Sequence, residues 1–400
     1  MSEPDGPPAA AELLASVLTA QLDAELPAAV LLRHELHRNP EVSGSEALTA
    51  AAAAAAIGGP DAPEVAGTGR LIRIGPPAGP AICIRAELDA LPMPEQTGAA
   101  FASVNGAMHA CGHDVHLAAL IALARAARAA PLPVALLAIL QPREEAGPSG
   151  ALDIASSDEF AAHEPAAVIG VHLQHQLPGG TVAAAEGTIN AATDDFEITV
   201  TGRGGHAGYP QLSADPVPAL CQCVISLQQL ISRRIDPTHA AVISVGTLQA
   251  GHAPNVIPAS ATAAGTIRTL DEADRQFLRT AVVEVVESTC RAYGCKGRVE
   301  IVPHEPALVN DPQLTAACQP LLRQAGFTVD TQFRSCGADD FAYYCREIPS
   351  VMLFTGSATA GVTLHDARFL PADDTVGQVA RVMLAGYLAA AARVLATATA

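Results

Sequence analysis

Two stretches of the chain concentrate side chains able to hold a metal ion or move a proton. In Met108-His109-Ala110-Cys111-Gly112-His113-Asp114, a thiol and an imidazole stand two positions apart. Cys111 and His113 can therefore share one side of an extended segment and grip a single ion. A plainer alternative is a buried cysteine followed by a helix-capping Asp114. In Gln141-Pro142-Arg143-Glu144-Glu145, two adjacent carboxylates follow an apolar run. Burying such a pair is costly unless a metal or a cation neutralises it. Adjacent residues point different ways, so one glutamate can bind metal while the other handles a proton; a solvated loop is the bland alternative. Two isolated histidines, His172 in Gly170-Val171-His172 and His365 in Leu364-His365-Asp366, are each more readily structural. Taken together, a thiolate, three imidazoles, a carboxylate and a spare glutamate make a chemically sensible divalent-ion site.

Such a site needs elements that bring these residues to one place. Residues 12–38 have helical periodicity, with Leu13, Leu14, Val17, Leu18 and Leu22 before Pro27 and Leu31, Leu32 and Leu36 after it. Ala50–Ala56 reads as a short alanine helix stopped by Ile57-Gly58-Gly59-Pro60. Leu71–Ile74 and Ala81–Ala86 read as adjacent strands around a turn-rich GPPAGP, and His116–Ala130 as a helix. Val134–Leu140 and Ala167–Leu173 are continuous apolar runs, as strands buried on both faces should be. This alternation predicts an α/β layer, a mostly parallel sheet flanked by helices. Sites in such sheets form beyond the carboxyl ends of the strands, where the paired glutamates and His172 fall.

From about residue 187 the pattern changes. A strand Phe196–Val200, a glycine-rich TGRGGHAG, a helix Val217–Ile231, strands Ala241–Leu248 and Ala261–Thr269, a helix Asp271–Tyr293 and a strand Arg298–Val302 follow in turn. That order, β-α-β-β-α-β, is the ferredoxin-like arrangement. The helix Pro312–Ala325 and the strand Val351–Phe354 return to the first pattern, and a C-terminal helix with a frayed tail closes the chain. We therefore expect a catalytic domain in two parts, 1–186 and 304–400, interrupted by an inserted α+β domain over 187–303.

Composition sets the outer limits. Four hundred residues favour two domains over one core. A net charge of −18, from 41 acidic against 23 basic residues, argues against a nucleic-acid partner. Nine scattered cysteines suggest reduced thiols, and MSEPDGPPAA has neither the basic nor the apolar part of a secretory signal. Ala50–Ala56 is too short to span a bilayer, so a soluble cytoplasmic protein is expected, with no membrane partner.

HACGHDVH, LQPREEAG, GVHLQHQLPGG, TGRGGHAGYP, NVIP, GTIRT, GADDFAYY and LHDARF follow one another in this order. From about Leu31 to Phe369 the chain thereby resembles the M20 metallopeptidases, and more closely their amidohydrolase subgroup of aminoacylases, hippurate hydrolases and auxin-conjugate hydrolases. The resemblance implies a dinuclear centre of Zn, Mn, Co or Ni, with ligands at Cys111, His113, Glu145, His172 and His365. It places the general base at Glu144, which takes a proton from water acidified by the ions and returns it to the leaving amine. It further implies that His206 supports the oxyanion across a dimer, that Asn255 touches the substrate, and that Arg268 holds the substrate carboxylate. Glu87 and Asp89, in Arg85-Ala86-Glu87-Leu88-Asp89-Ala90-Leu91-Pro92, are expected to orient ligands from behind. The inserted domain would be a lid and dimerisation domain, and the substrate a small N-acyl amino acid or related amide.

Alternatives differ in what they leave idle. A dipeptidase or carboxypeptidase would use the same scaffold. A cysteine hydrolase with Cys111 as nucleophile and His113 or His109 as base gives no work to the paired glutamates or the distant histidines. A non-catalytic binder on a degenerate scaffold is at odds with a full set of ligands and a base. Three departures from the family bear on substrate instead: Gln174 where relatives carry an aromatic, Gln211 where they carry histidine, and Ala146-Gly147-Pro148-Ser149 in place of a plainer glycine run. His116 and His175 lie close to these motifs; the other histidines and cysteines read as ordinary.

Overall fold

A computed structural model describes residues 7–359 and 361–398. The chain forms two compact units: Met1–Gly187 with Val309–Phe333 and Tyr343–Ala400, and Thr188–Leu308 with Arg334–Ala342. The return from the second unit, expected at residue 304, comes after Leu308. Arg334–Ala342, which the sequence placed with the outer domain, groups with the second unit instead.

The first unit is built on an eight-stranded sheet, ordered Glu64–Val65, Gly69–Ile74, Ala135–Gln141, Ala81–Glu87, Pro165–Gln174, Ser350–Gly356, Thr181–Ala183 and Thr328–Asp330. The central strands Ala135–Gln141, Ala81–Glu87, Pro165–Gln174 and Ser350–Gly356 run parallel. Every residue of the first two is buried, which is why they read as unbroken apolar runs. Gly69–Ile74 and Ala81–Glu87 are not neighbours, contrary to expectation: Ala135–Gln141 lies between them. A hairpin would have left Ala81–Glu87 with an antiparallel partner, whereas here it has parallel partners at both edges.

Helix His113–Arg128 packs against Pro7–Arg38 and Asp374–Ala398 and buries Val115, Leu117, Leu120 and Ile121. Pro7–Arg38 runs unbroken through Pro27. Ala47–Ile57 ends at Gly58, whose φ of 88° suits glycine. By length and composition alone, Ala11–Arg38 and Asp374–Thr397 could cross a membrane. The second of these buries Val376, Val379, Val382 and Met383 in the core, as a core helix does. The frayed tail expected at the C-terminus falls largely on Thr399 and Ala400, outside the described residues.

The second unit carries a four-stranded antiparallel sheet, ordered Ala241–Ala250, Ser260–Thr269, Ala192–Thr201 and Lys296–Pro303. Helices Pro216–Arg234 and Glu272–Ala292 cover one face, and Asp215 and Asp271 cap their N-termini. Phe196, Ile198, Leu220, Leu227, Leu278 and Val282 form its core. The buried Asp194 carboxylate is gripped by Arg275 and Arg279. No disulfide forms among the described residues.

Candidate metal centre

Three adjacent parallel strands of the first unit end at one place. Ala135–Gln141 leads into Glu144 and Glu145, Ala81–Glu87 into Asp89, and Pro165–Gln174 carries His172 near its end. This is the carboxyl edge at which α/β sheets build their sites. Helix His113–Arg128 starts beside it, and Cys111 and His113 flank the turn at its N-terminus. That turn demands glycine. Gly112 has φ +87°, and a Cβ there would lie 2.6 Å from Leu173 Cδ1. Gly112→Ala should cost about 1–3 kcal/mol, from overpacking, and lower the metal content of the purified protein. A wild-type denaturation midpoint with wild-type metal content would refute that expectation.

The candidate ligand atoms converge. One atom each from Cys111, Glu145 and His365 lie within 4.8 Å of one another, as do atoms of His113, Glu144 and Glu145. Glu145 thus belongs to both groups. His172 Nε2 is 3.4 Å from Cys111 Sγ. His113 Nε2 lies 3.8 Å from Glu144 Oε2 and 3.9 Å from Glu145 Oε1, and His365 Nε2 lies 3.5 Å from Glu145 Oε2. His113 Nε2 and Glu145 Oε1 are buried without any hydrogen-bond partner. Orphaned buried atoms that both offer lone pairs, facing a thiol and further imidazoles, are what a divalent ion would satisfy. The donor set fits.

The supports behind these atoms are equally specific. Asp89 accepts His113 Nδ1–H through its backbone oxygen at 2.8 Å, which leaves Nε2 with its lone pair. Its carboxylate accepts from Ser43 Oγ at 2.7 Å and from the Glu145 backbone N–H at 2.8 Å. Burial raises the Asp89 pKa. His172 donates through Nδ1 to the Leu173 carbonyl at 2.7 Å. Burial, with His116 close by, holds its pKa down at about 3, so the ring is neutral and able to ligate. His365 has φ +64° and is tied by its backbone N–H to the Ala110 carbonyl at 2.9 Å, which couples this candidate ligand to the Cys111 turn.

Two sets of residues at this site had no role in the sequence. His116 is fully buried; its Nδ1 is 2.9 Å from Glu87 Oε2, and its Nε2 accepts from the Leu173 backbone N–H at 3.0 Å. The HDVH spacing, which puts His113 and His116 on one helix face, was the available signal. The second set is a buried ionic network. Arg33 Nε reaches Asp114 Oδ2 at 2.9 Å, Nη1 reaches Asp373 Oδ1 at 2.9 Å, and Nη2 reaches the Pro371 carbonyl at 2.8 Å. His37 bridges Asp114 Oδ2 at 3.0 Å and Glu95 Oε1 at 3.1 Å. Asp114 is therefore no simple helix cap: it locks the helix bearing His113 to the N-terminal and C-terminal helical segments. His109 is buried and neutral, its pKa pushed down to about 3 by burial. His175 makes no contact with these groups that would give it a role.

The remaining predicted positions lie in the second unit. His206 is exposed, pairs across a two-stranded ribbon with Val256, and accepts from the Gly208 N–H through Nδ1 at 3.0 Å. The Asn255 backbone oxygen accepts from Ala207 N–H at 3.1 Å. Arg268 sits on Ser260–Thr269, opposite Val242 and Thr193. Its guanidinium has no ion pair among the described residues.

Residues 83–387 match peptidase family M20/M25/M40. N-acetylcysteine deacetylase of Bacillus subtilis is 36% identical over 335 residues, 82% of this chain and 87% of that protein. N-acetyldiaminopimelate deacetylase of Shouchella clausii is 34% identical over 306 residues, 76% of this chain and 81% of that protein. Among solved structures, a Bacillus subtilis protein described as a dinuclear metal-binding peptidase of the M20 family superposes with a TM-score of 0.76 at 30% identity. It covers 92% of this chain and 98% of its own.

Proposed function

The chain belongs to peptidase family M20/M25/M40, and on that premise we propose that it is a two-metal amidohydrolase that releases the amino acid from a small N-acyl amino acid. The observation that carries this reading is the convergence of Cys111, His113, Glu145, His172 and His365 around two buried, orphaned ligand atoms. These five would hold two divalent ions of the zinc, manganese, cobalt or nickel group. Ions bound there would acidify water and polarise the amide carbonyl.

Glu144 stands at the rim of the ligand cluster, its side chain 10% exposed, and takes the role of general base. It accepts the proton of the attacking water and delivers it to the departing amine. Glu145 is held from behind by Asp89 and serves as ligand, so adjacent carboxylates divide binding from proton transfer. Arg268 suits a substrate carboxylate, Asn255 a polar contact, and His206 a developing oxyanion. For His206 we propose action across a homodimer formed by the second unit, whose edge strand Ala241–Ala250 is largely exposed.

Chelation should abolish activity, and single metals should restore it. Assay of the restored enzyme on N-acetyl and longer N-acyl amino acids beside dipeptides then separates deacylase from dipeptidase. Activity that survives chelation but is destroyed by an alkylating agent would replace this reading with a Cys111 hydrolase.

A further inference from the structure

We infer that His116 and Glu87 are positioning residues that fix the tautomer and aim of His172, and thereby the affinity of the centre for its ions. The inference rests on the two-metal reading above and goes beyond its ligand set.

The backbone decides the proton positions. Leu173 N–H can only donate, and it meets His116 Nε2 at 3.0 Å, so that nitrogen carries a lone pair. The ring proton therefore sits on Nδ1, where Glu87 Oε2 accepts it at 2.9 Å. Leu173 is then held at both of its polar backbone groups, since its carbonyl accepts from His172 Nδ1–H at 2.7 Å. With the proton on Nδ1, His172 presents the Nε2 lone pair, 3.4 Å from Cys111 Sγ. The chain of contacts runs from Glu87 through His116 and the Leu173 backbone to the ligand.

Glu87, His113, His116 and His172 also lie within 4.8 Å of one another, an arrangement that could be taken for a further ion site. Both His116 nitrogens are already engaged, so it has no lone pair to offer an ion. Glu87 is likewise committed, paired with Arg85 on its other oxygen. The cluster is a support, and its full burial keeps water from competing for the same hydrogen bonds.

Two measurements test this. In the metal-free wild-type protein, nitrogen NMR should find His172 and His116 both protonated at Nδ1; an Nε2–H tautomer at His172 would overturn the inference. In zinc competition with a chromogenic chelator, His116→Leu should raise the zinc Kd about 10–100-fold. His116→Gln, whose amide oxygen can accept from Leu173 N–H, should recover most of that loss. Folded Leu and Gln variants that both bind zinc like wild type would reduce His116 to a core residue and overturn the inference. Should His116→Leu fail to fold, the tautomer measurement decides alone. If wild type binds none of zinc, manganese, cobalt and nickel, the two-metal reading itself falls, an outcome distinct from equal binding by wild type and variants.

Discussion

Glu144→Gln is expected to lower kcat by about 10²–10⁴-fold while leaving the metal content of the protein unchanged. The substitution preserves shape and hydrogen-bonding length but removes the ability to accept a proton. Its neighbour Glu145 lies within 4.8 Å of Cys111 and His365 as well as His113, whereas Glu144 is grouped with His113 and Glu145 alone among these residues. On the proposed reading, losing Glu144 removes the proton carrier and spares the ligands. Metal analysis beside steady-state kinetics checks both halves. Metal loss would move Glu144 into the ligand set, and retained turnover would move the proton chemistry elsewhere.

Arg33→Leu should destabilise the first unit by about 3–5 kcal/mol, the cost of breaking a buried pair on one side only. Both the Arg33 and Asp114 side chains are fully buried, so the variant strands the Asp114 carboxylate with His37 as its remaining charged partner. Burial would raise the Asp114 pKa, but Arg33 and then His37 outweigh it and hold the group far below its usual value. The stability this contributes is present above the unfolded value of 3.8 and lost as pH falls toward the folded one. The gap between wild type and Arg33→Leu should accordingly narrow in acid. His37 has the opposite sign. Burial lowers its pKa, yet Asp114 and Glu95 more than offset that and raise it. Its contribution is full below the unfolded value of 6.5 and fades as pH rises through the raised pKa. Urea titrations from pH 3 to pH 9 read both limbs. A gap that is constant with pH would show that Asp114 gains nothing from Arg33.

What could be read from sequence was what sits in contiguous patterns. Cys111 and His113 share one motif, Glu144 and Glu145 another, and the buried strands betray themselves as unbroken apolar runs. The inserted β-α-β-β-α-β order is also written locally, because each strand and helix keeps its own period over many residues. Long-range polar pairing is a different matter. Arg33 finds Asp114 across 81 positions, and His116 finds the Leu173 backbone across 57. No periodicity marks either partnership, and a backbone N–H leaves no trace in residue identity. The neighbour order of Gly69–Ile74 and Ala81–Glu87 differs from the sequence expectation for a related reason: apolar content says that a strand is buried, not which strand lies beside it. Strands as short as Glu64–Val65 and Thr181–Ala183 carry no usable alternation at all.

The hydrogen bond from His365 N–H to the Ala110 carbonyl has a consequence for biosynthesis. On the proposed ligand set, Cys111, His113, Glu145 and His172 are synthesised before the second unit, and His365 only after the whole of it has been made. A nascent chain can therefore assemble most of the sheet edge and still present an incomplete donor set. Capture of ions in that arrangement would wait for His365, which is soon followed by Asp374–Ala398, the helix that packs on the same core. Metal loading so arranged would report that synthesis has passed the second unit: a chain truncated before residue 365 would lack the fifth proposed ligand.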